Sequence, residues 1–199
     1  MNKLPLMEDF YTLQGEGFYQ GSAAYFVRLA GCDVGCHWCD VKDSWEADKY
    51  PMTSVAEIVR RADDTMATIV VVTGGEPLLY DLTGLTEELQ KAGLQTNIET
   101  SGSSPITGKW DWFCLSPKKF KMPVQEAYKA ADELKMIIFN KSDFQFAADQ
   151  AALVGEDCML YLQPEWDKHE EMTPLIVEYI KDRPQWQLSL QLHKYLGIE

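Results

Sequence analysis

Positive charge is scarce in this chain of 199 residues: 18 Lys and Arg stand against 31 Asp and Glu, a formal net charge of −13. A protein that tracks a nucleic-acid backbone needs a basic face to neutralise phosphates, so the average charge argues against such a partner. One basic run, Lys118-Lys119-Phe120-Lys121, could hold a small anion but makes a poor track. Long apolar runs are missing too: the longest, 68–72 and 136–139, fall far below the roughly 20 residues of a membrane helix. No apolar stretch follows Met1-Asn2-Lys3-Leu4-Pro5, so no signal peptide is expected and a cytoplasmic location is. Repeats, low-complexity tracts and Gly/Ser linkers are absent, which leaves 1–199 as one expected domain. With 46% hydrophobic and 25% charged residues, the composition is that of a globular chain and excludes a disordered chain, a collagen-like fibre or a coiled coil.

What is present is an alternation of two patterns. Segments rich in β-branched and aromatic residues predict strands over 23–29, 68–73, 94–99, 112–115, 134–139, 158–162 and 186–192. Between them, helices are predicted over 54–63, 82–91, 143–153 and 174–180; Ser54 and Glu57 form a capping-box pattern, and Gly93 and Gly155 follow two of the helices. Strands alternating with helices imply βαβ units and a mostly parallel sheet. An eight-unit barrel takes about 250 residues, so the α/β fold expected here is a partial (βα)6-type barrel, with the short crossover 124–131 as a degenerate unit. In such folds ligands sit at the C-terminal ends of the strands.

Cysteine is the informative residue. There are five, Cys32, Cys36, Cys39, Cys114 and Cys158, and an odd count without a signal peptide argues against a disulfide framework. Three lie in Cys32-Asp33-Val34-Gly35-Cys36-His37-Trp38-Cys39, a C-x3-C-x2-C loop. Three thiolates on one tight loop can hold three corners of an iron–sulfur cube and leave the fourth iron open to chemistry. A structural zinc or a passive cluster would want a fourth ligand. Cys114 and Cys158 sit in apolar strand contexts and read as core, and His37, inside the loop, is expected to point away.

Taken with Gly74-Gly75-Glu76-Pro77 after the next strand, the loop resembles the signature of radical S-adenosylmethionine (SAM) enzymes. Alone, the glycine pair reads as a turn. The resemblance implies a 4Fe-4S cluster on Cys32, Cys36 and Cys39 and SAM on the open iron. Its amino group would be approached by a glycine backbone, and it would be cleaved by one electron to a 5′-deoxyadenosyl radical.

Further motifs cover nearly the whole chain: Leu13-Gln14-Gly15-Glu16-Gly17, Phe26-Val27-Arg28-Leu29, Glu99-Thr100-Ser101-Gly102, Ser116-Pro117-Lys118, Leu162-Gln163-Pro164 and His193-Lys194-Tyr195-Leu196-Gly197. They resemble the 7-carboxy-7-deazaguanine synthase (QueE) family, which converts 6-carboxy-5,6,7,8-tetrahydropterin to 7-carboxy-7-deazaguanine, a queuosine precursor, with loss of ammonia. That resemblance implies hydrogen abstraction from C6, ring contraction and regeneration of SAM. It implies substrate contacts from Leu13, Gln14, Gly15, Arg28, Thr73, Glu99, His193 and Glu199. SAM contacts are implied for Trp38, Cys39, Asp40, Gly75, Ser116, Pro117, Lys118, Gln163 and Pro164. A flavodoxin or ferredoxin donor and a homodimer are implied as well. By the residues alone, Arg28 could instead form a buried salt bridge to Glu16 or Glu99, Lys118 could belong to a solvated patch, and His193 could lie on the surface of an edge strand. Val41 stands where the family often carries a Thr that ligates Mg2+; Asp40, water and substrate remain as possible ligands, and weak or absent Mg2+ stimulation is expected. Two other readings are a different small radical SAM enzyme, such as a glycyl-radical activating enzyme, and a non-enzymatic zinc or cluster module.

Overall fold

The computed structural model describes residues 3–199. Its strands are β1 (Lys3–Leu13), β2 (Ala23–Leu29), β3 (Met52–Ser54), β4 (Ile69–Gly74), β5 (Gln95–Thr100), β6 (Trp112–Leu115), β7 (Glu133–Ile138), β8 (Met159–Pro164) and β9 (Trp186–Leu188). Its helices are α1 (Val55–Asp63), α2 (Thr83–Lys91), α3 (Gln125–Ala130), α4 (Asp143–Ala151), α5 (His169–Asp182) and α6 (Leu192–Leu196). One sheet runs in the order β3-β1-β2-β4-β5-β6-β7-β8-β9. From β2 to β9 every pairing is parallel, while β1 lies antiparallel to β2 and β3. Six crossovers thus join seven parallel strands into an open, partial barrel, as the length argument required. No helix among the described residues is long and apolar enough to cross a membrane.

Side-chain alternation gives the sheet two unlike faces. Toward the helices point Val27, Leu29, Val70, Val72, Ile98, Phe113, Leu115, Leu134, Met136, Ile138 and Leu162, packed with Ile58, Leu85, Leu89, Ala147, Met172 and Ile176 in one core. Each such side chain contributes about 1.5–3 kcal/mol by leaving water. The alternate residues on the other face include Arg28, Thr73, Glu99, Lys135 and Gln163, all at one cavity. Only a small apolar cluster, Ala24, Ile69 and Val71, fills that face lower down.

Several predicted elements shift. The unit without a helix is 101–111, between β5 and β6, whereas the short crossover 124–131 holds the six-residue α3. The last strand stops at Leu188, and 192–196 is helical; β9 runs out of partners on β8 after Leu188. The helix predicted over 174–180 starts at His169, with Pro174 inside it. At α1, Ser54 accepts from the Glu57 amide at 3.3 Å, but the Glu57 carboxylate turns to Arg60 and Arg61, so only half of the capping box forms. Strand β1 escaped the sequence pattern because its register shifts between Leu6 and Glu8 and interrupts the alternation.

Candidate active site

The C-terminal ends of the parallel strands surround a cavity of about 460 Å³, a size suited to small ligands. All the sequence-predicted substrate residues line it: Leu13, Gln14 and Gly15 at the end of β1, Arg28, Thr73, Glu99, His193 and Glu199. So do Cys32, Cys36 and Cys39, together with Trp38, Asp40, Val41, Gly75, Ser116, Lys118, Gln163 and Pro164. Pro117 is the exception; it is buried and does not line the cavity. Cys114 and Cys158 are buried away from it, and His37 is exposed.

The cysteine loop leaves β2 through Gly31 (φ 98°) and turns again at Gly35 (φ 73°), both in the left-handed region that glycine tolerates. Backbone bonds from Gly31 N to Ser44 O (2.6 Å) and Cys32 N to Trp45 O (3.3 Å) tie it down. The end of β4 packs directly beneath. Gly75 N donates to Leu29 O at 2.9 Å and Glu76 N to Gly31 O at 2.8 Å. A Cβ on Gly75 would stand 2.2 Å from the Gly31 carbonyl oxygen and 2.9 Å from Cys32 Cβ. The glycine pair is therefore required first by the protein's own backbone, a reason the family pattern did not supply. Glu76, buried, accepts from Leu78 N, Thr100 Oγ1, Ser101 N and Ser101 Oγ, which fastens the end of β4 to that of β5.

All five cysteines are free thiols. Burial raises the Cys36 thiol to about 11, with Lys118 pulling it back and the neighbouring cysteines adding to the rise; burial raises Cys32 as well. Thiols held so high give up their protons to a coordinating cation. Three cysteines on one anchored loop at a cavity wall, with no fourth cysteine at the cavity, fit a three-ligated 4Fe-4S cluster with an open position.

Below the cavity lies a buried charge network that sequence reasoning missed. Lys135, 3% exposed, donates to Glu16 at 2.5 Å and to Glu99 at 2.7 Å. Burial works against the Lys135 charge, but Glu16 and Glu99 outweigh it and raise its pKa well above the ordinary value. Burial likewise acts to raise Glu16, yet Lys135 overrides it and lowers that carboxyl to about 2. Gln14 Nε2 donates to Glu99 Oε1 at 2.9 Å and Gln191 Nε2 to Glu16 Oε1 at 3.1 Å. The signal was visible: a lysine inside the apolar run 134–139 is as odd as the arginine in β2.

Arg28 pairs with neither of the partners considered from the sequence. Its Nε donates to Glu8 at 2.6 Å across the β1–β2 ladder, while Glu16 and Glu99 are taken by Lys135. Its two Nη atoms have no hydrogen-bond partner among the described residues, so a guanidinium edge is free at the cavity. His193 is not on an edge strand: it is the second residue of α6, half-buried against Gly15, where a Cβ would lie 2.2 Å from its Nδ1. Burial lowers its pKa, with Glu16 opposing. Leu192 N donates to Gly15 O (2.9 Å) and Thr12 Oγ1 to Glu199 O (3.1 Å), so the C-terminal segment closes the cavity. Lys118 donates to Ser116 O at 2.7 Å; it reaches inward and is not a solvated patch residue.

The Mg2+ position does not fit that ion. Val41 offers no oxygen, and the Asp40 carboxylate is already held by Lys194 at 2.6 Å and Gln191 at 3.3 Å. Glu165, also missed, lines the cavity while 7% exposed, and its Oε2 has no partner among the described residues.

The radical SAM superfamily model matches residues 27–127. A 7-carboxy-7-deazaguanine synthase of Flavobacterium psychrophilum is 61% identical over 195 residues, spanning 98% of this chain and 92% of the relative. One from Synechocystis sp. is 46% identical over 98% of this chain and 93% of its own. The crystal structure of QueE from Escherichia coli superposes with a TM-score of 0.85 at 33% identity, covering 96% of this chain and 95% of that one. These matches set aside the glycyl-radical activating enzyme and the non-enzymatic module. Sequence, fold and site together place this chain in the radical SAM superfamily, as a member of the 7-carboxy-7-deazaguanine synthase family.

Proposed function

We propose that this chain is a carbon–nitrogen lyase that binds 6-carboxy-5,6,7,8-tetrahydropterin in its cavity beside the cysteine loop. The carrying observation is convergence: one cavity of about 460 Å³ gathers Cys32, Cys36 and Cys39 with Gln14, Arg28, Glu99 and His193. When bound, the 4Fe-4S cluster and SAM supply the radical chemistry. The free Nη edge of Arg28 holds the substrate carboxylate, a geometry suited to a guanidinium. Glu99, fixed from two sides by Gln14 and Lys135, accepts from the N–H donors of the aminopyrimidine. His193, kept neutral by burial, offers one donor and one acceptor to the same ring edge. Leu13, Gly15, Thr73 and Glu199 shape the rest of the pterin site. Trp38, Cys39, Asp40, Gly75, Ser116, Pro117, Lys118, Gln163 and Pro164 hold SAM, with Pro117 acting from behind Ser116. Correct placement of C6 matters because a misplaced carbon leaves the radical to be quenched elsewhere.

In this reading the protein works in the cytoplasm as a homodimer, receives its electron from a flavodoxin or ferredoxin, and needs no Mg2+. Turnover is expected to be unchanged within about twofold between excess chelator and millimolar Mg2+, since the ion would have to displace the Lys194 ammonium from Asp40. Initial rates across a Mg2+ titration check this; saturable stimulation of about tenfold at low concentration contradicts it. The function itself is tested by anaerobic reconstitution with reductant, SAM and the pterin. Mass-spectrometric detection of 7-carboxy-7-deazaguanine supports it, and SAM cleavage without that product removes the substrate assignment.

A further inference from the structure

Glu8 and Arg28 face each other across the β1–β2 ladder only because β1 carries one extra residue. Below the irregularity Leu6 pairs with Leu29, and Leu4, Leu6 and Leu29 all lie in the core under the helices. A regular ladder would continue with Met7 opposite Arg28 and would send Glu8 to the side of Leu4 and Leu6, because side chains alternate along a strand. Instead the register shifts between Leu6 and Glu8, and from there the even-numbered residues of β1 change face. Glu8 and Phe10 line the cavity opposite Arg28 and Phe26, and the two phenyl rings stack with centres 5.4 Å apart. Asp9 turns the other way, to Tyr25 and Arg61. The shift thus sets a carboxylate beside the one arginine of the cavity. That carboxylate takes a single edge of the guanidinium: Nε donates to Glu8 Oε1 at 2.6 Å, and both Nη atoms lack a partner among the described residues.

We propose that Glu8 is a positioning residue: it holds the Arg28 guanidinium by Nε so that the Nη edge is already turned to meet the substrate carboxylate. This rests on the reading that Arg28 grips that carboxylate. An arginine side chain is among the costliest to order, and a site that has ordered it beforehand does not meet that cost when the ligand arrives. Folding stability does not account for the pair, because side chains 21% and 45% exposed gain little from a salt bridge. Glu8 also brings a negative charge near an anionic ligand, and this opposes binding. At 45% exposure that charge is screened by water and salt, so the orienting effect is the larger of the two.

The test is anaerobic calorimetry on the reconstituted full chain with SAM and without reductant, so that binding is read apart from turnover. Two probes are titrated into wild type, Glu8→Ala and Glu8→Gln: 6-carboxy-5,6,7,8-tetrahydropterin and 5,6,7,8-tetrahydropterin, which lacks the carboxylate. Glu8→Ala is expected to weaken the carboxylated probe by about five- to tenfold, the cost of ordering one long side chain, and to leave the other probe within about twofold of wild type. Glu8→Gln keeps an accepting oxygen and loses the charge, and is expected to recover most of the lost affinity. An equal loss for both probes overturns the proposal, because Glu8 would then support the cavity as a whole. Unchanged affinity for the carboxylated probe in Glu8→Ala overturns it as well. So does tighter binding, which would make Glu8 a competitor for the guanidinium, and so does a loss in Glu8→Gln as large as in Glu8→Ala, which would make its charge the operative property. The underlying reading fails separately: if wild type binds the carboxylated probe no more tightly than the other, Arg28 does not grip the carboxylate, whatever the variants do.

Discussion

Replacing Lys135 by Met is expected to lower the midpoint of thermal unfolding by roughly 6–20 °C and to abolish pterin turnover. The substitution roughly keeps the volume and removes the cation that touches both Glu16 and Glu99. Breaking a buried ion pair from one side costs about 3–5 kcal/mol, because the remaining charge is left uncompensated. Here two carboxylates are left facing each other, and for a chain of this size each kcal/mol moves the midpoint by about 2–4 °C. Both carboxylates keep some solvent contact, at 15% and 21% side-chain exposure, which places the effect toward the lower end. Turnover falls further than stability, since Glu99 loses the partner that fixes its orientation beside Gln14. Adding Glu16→Gln to Lys135→Met should recover part of the stability and none of the turnover. Calorimetric melts and product assays on the two variants check this; an unchanged midpoint contradicts the account of the network.

The second large effect is expected at Gly75. An alanine there would place its Cβ 2.2 Å from the Gly31 carbonyl oxygen and 2.7 Å from the Gly31 carbonyl carbon, both backbone atoms. No side-chain rotation relieves that clash, so either β4 or the start of the cysteine loop must move. The expected result is loss of most of the bound iron and sulfide after reconstitution, with a destabilisation of about 1–3 kcal/mol. Gly155→Ala is the control: no atom lies within 4 Å of the added Cβ and the backbone is not left-handed. It is expected to change stability by no more than about 0.5 kcal/mol and to load its cluster normally. Iron and sulfide analysis of the two variants, prepared in parallel, separates local steric damage from a general intolerance of substitution.

Much of the site was legible because its chemistry is local in sequence. The cysteine spacing, the glycine pair and the polar residues at strand ends each announce themselves within a few positions, and the parallel topology brings them to one cavity. What stayed hidden depends on which face a residue takes. The pattern 134–139 marks a strand, but only the sheet shows that Lys135 faces Glu16 and Glu99, which come from other strands and loops. For the same reason Arg28 was recognised as unusual and yet assigned the wrong alternative partners: its true partner, Glu8, lies on a strand whose register shift concealed it. The alternative that set His193 on the surface of an edge strand fails because β9 ends where its ladder with β8 ends, a tertiary cause with no local signal. Val41 was read correctly as lacking a metal oxygen, but the lysine that occupies Asp40 comes from 154 residues further along the chain.

The central claim is that one cavity joins the cysteine loop to a pterin site. One assay with two channels tests it most directly: 5′-deoxyadenosine and 7-carboxy-7-deazaguanine measured together for wild type, Cys36→Ala and Glu99→Gln, with reductant, SAM and the pterin present. The account requires product from wild type, neither signal from Cys36→Ala, and SAM cleavage with little or no product from Glu99→Gln. Product at the wild-type rate from Glu99→Gln, or wild-type SAM cleavage with no product, would contradict it.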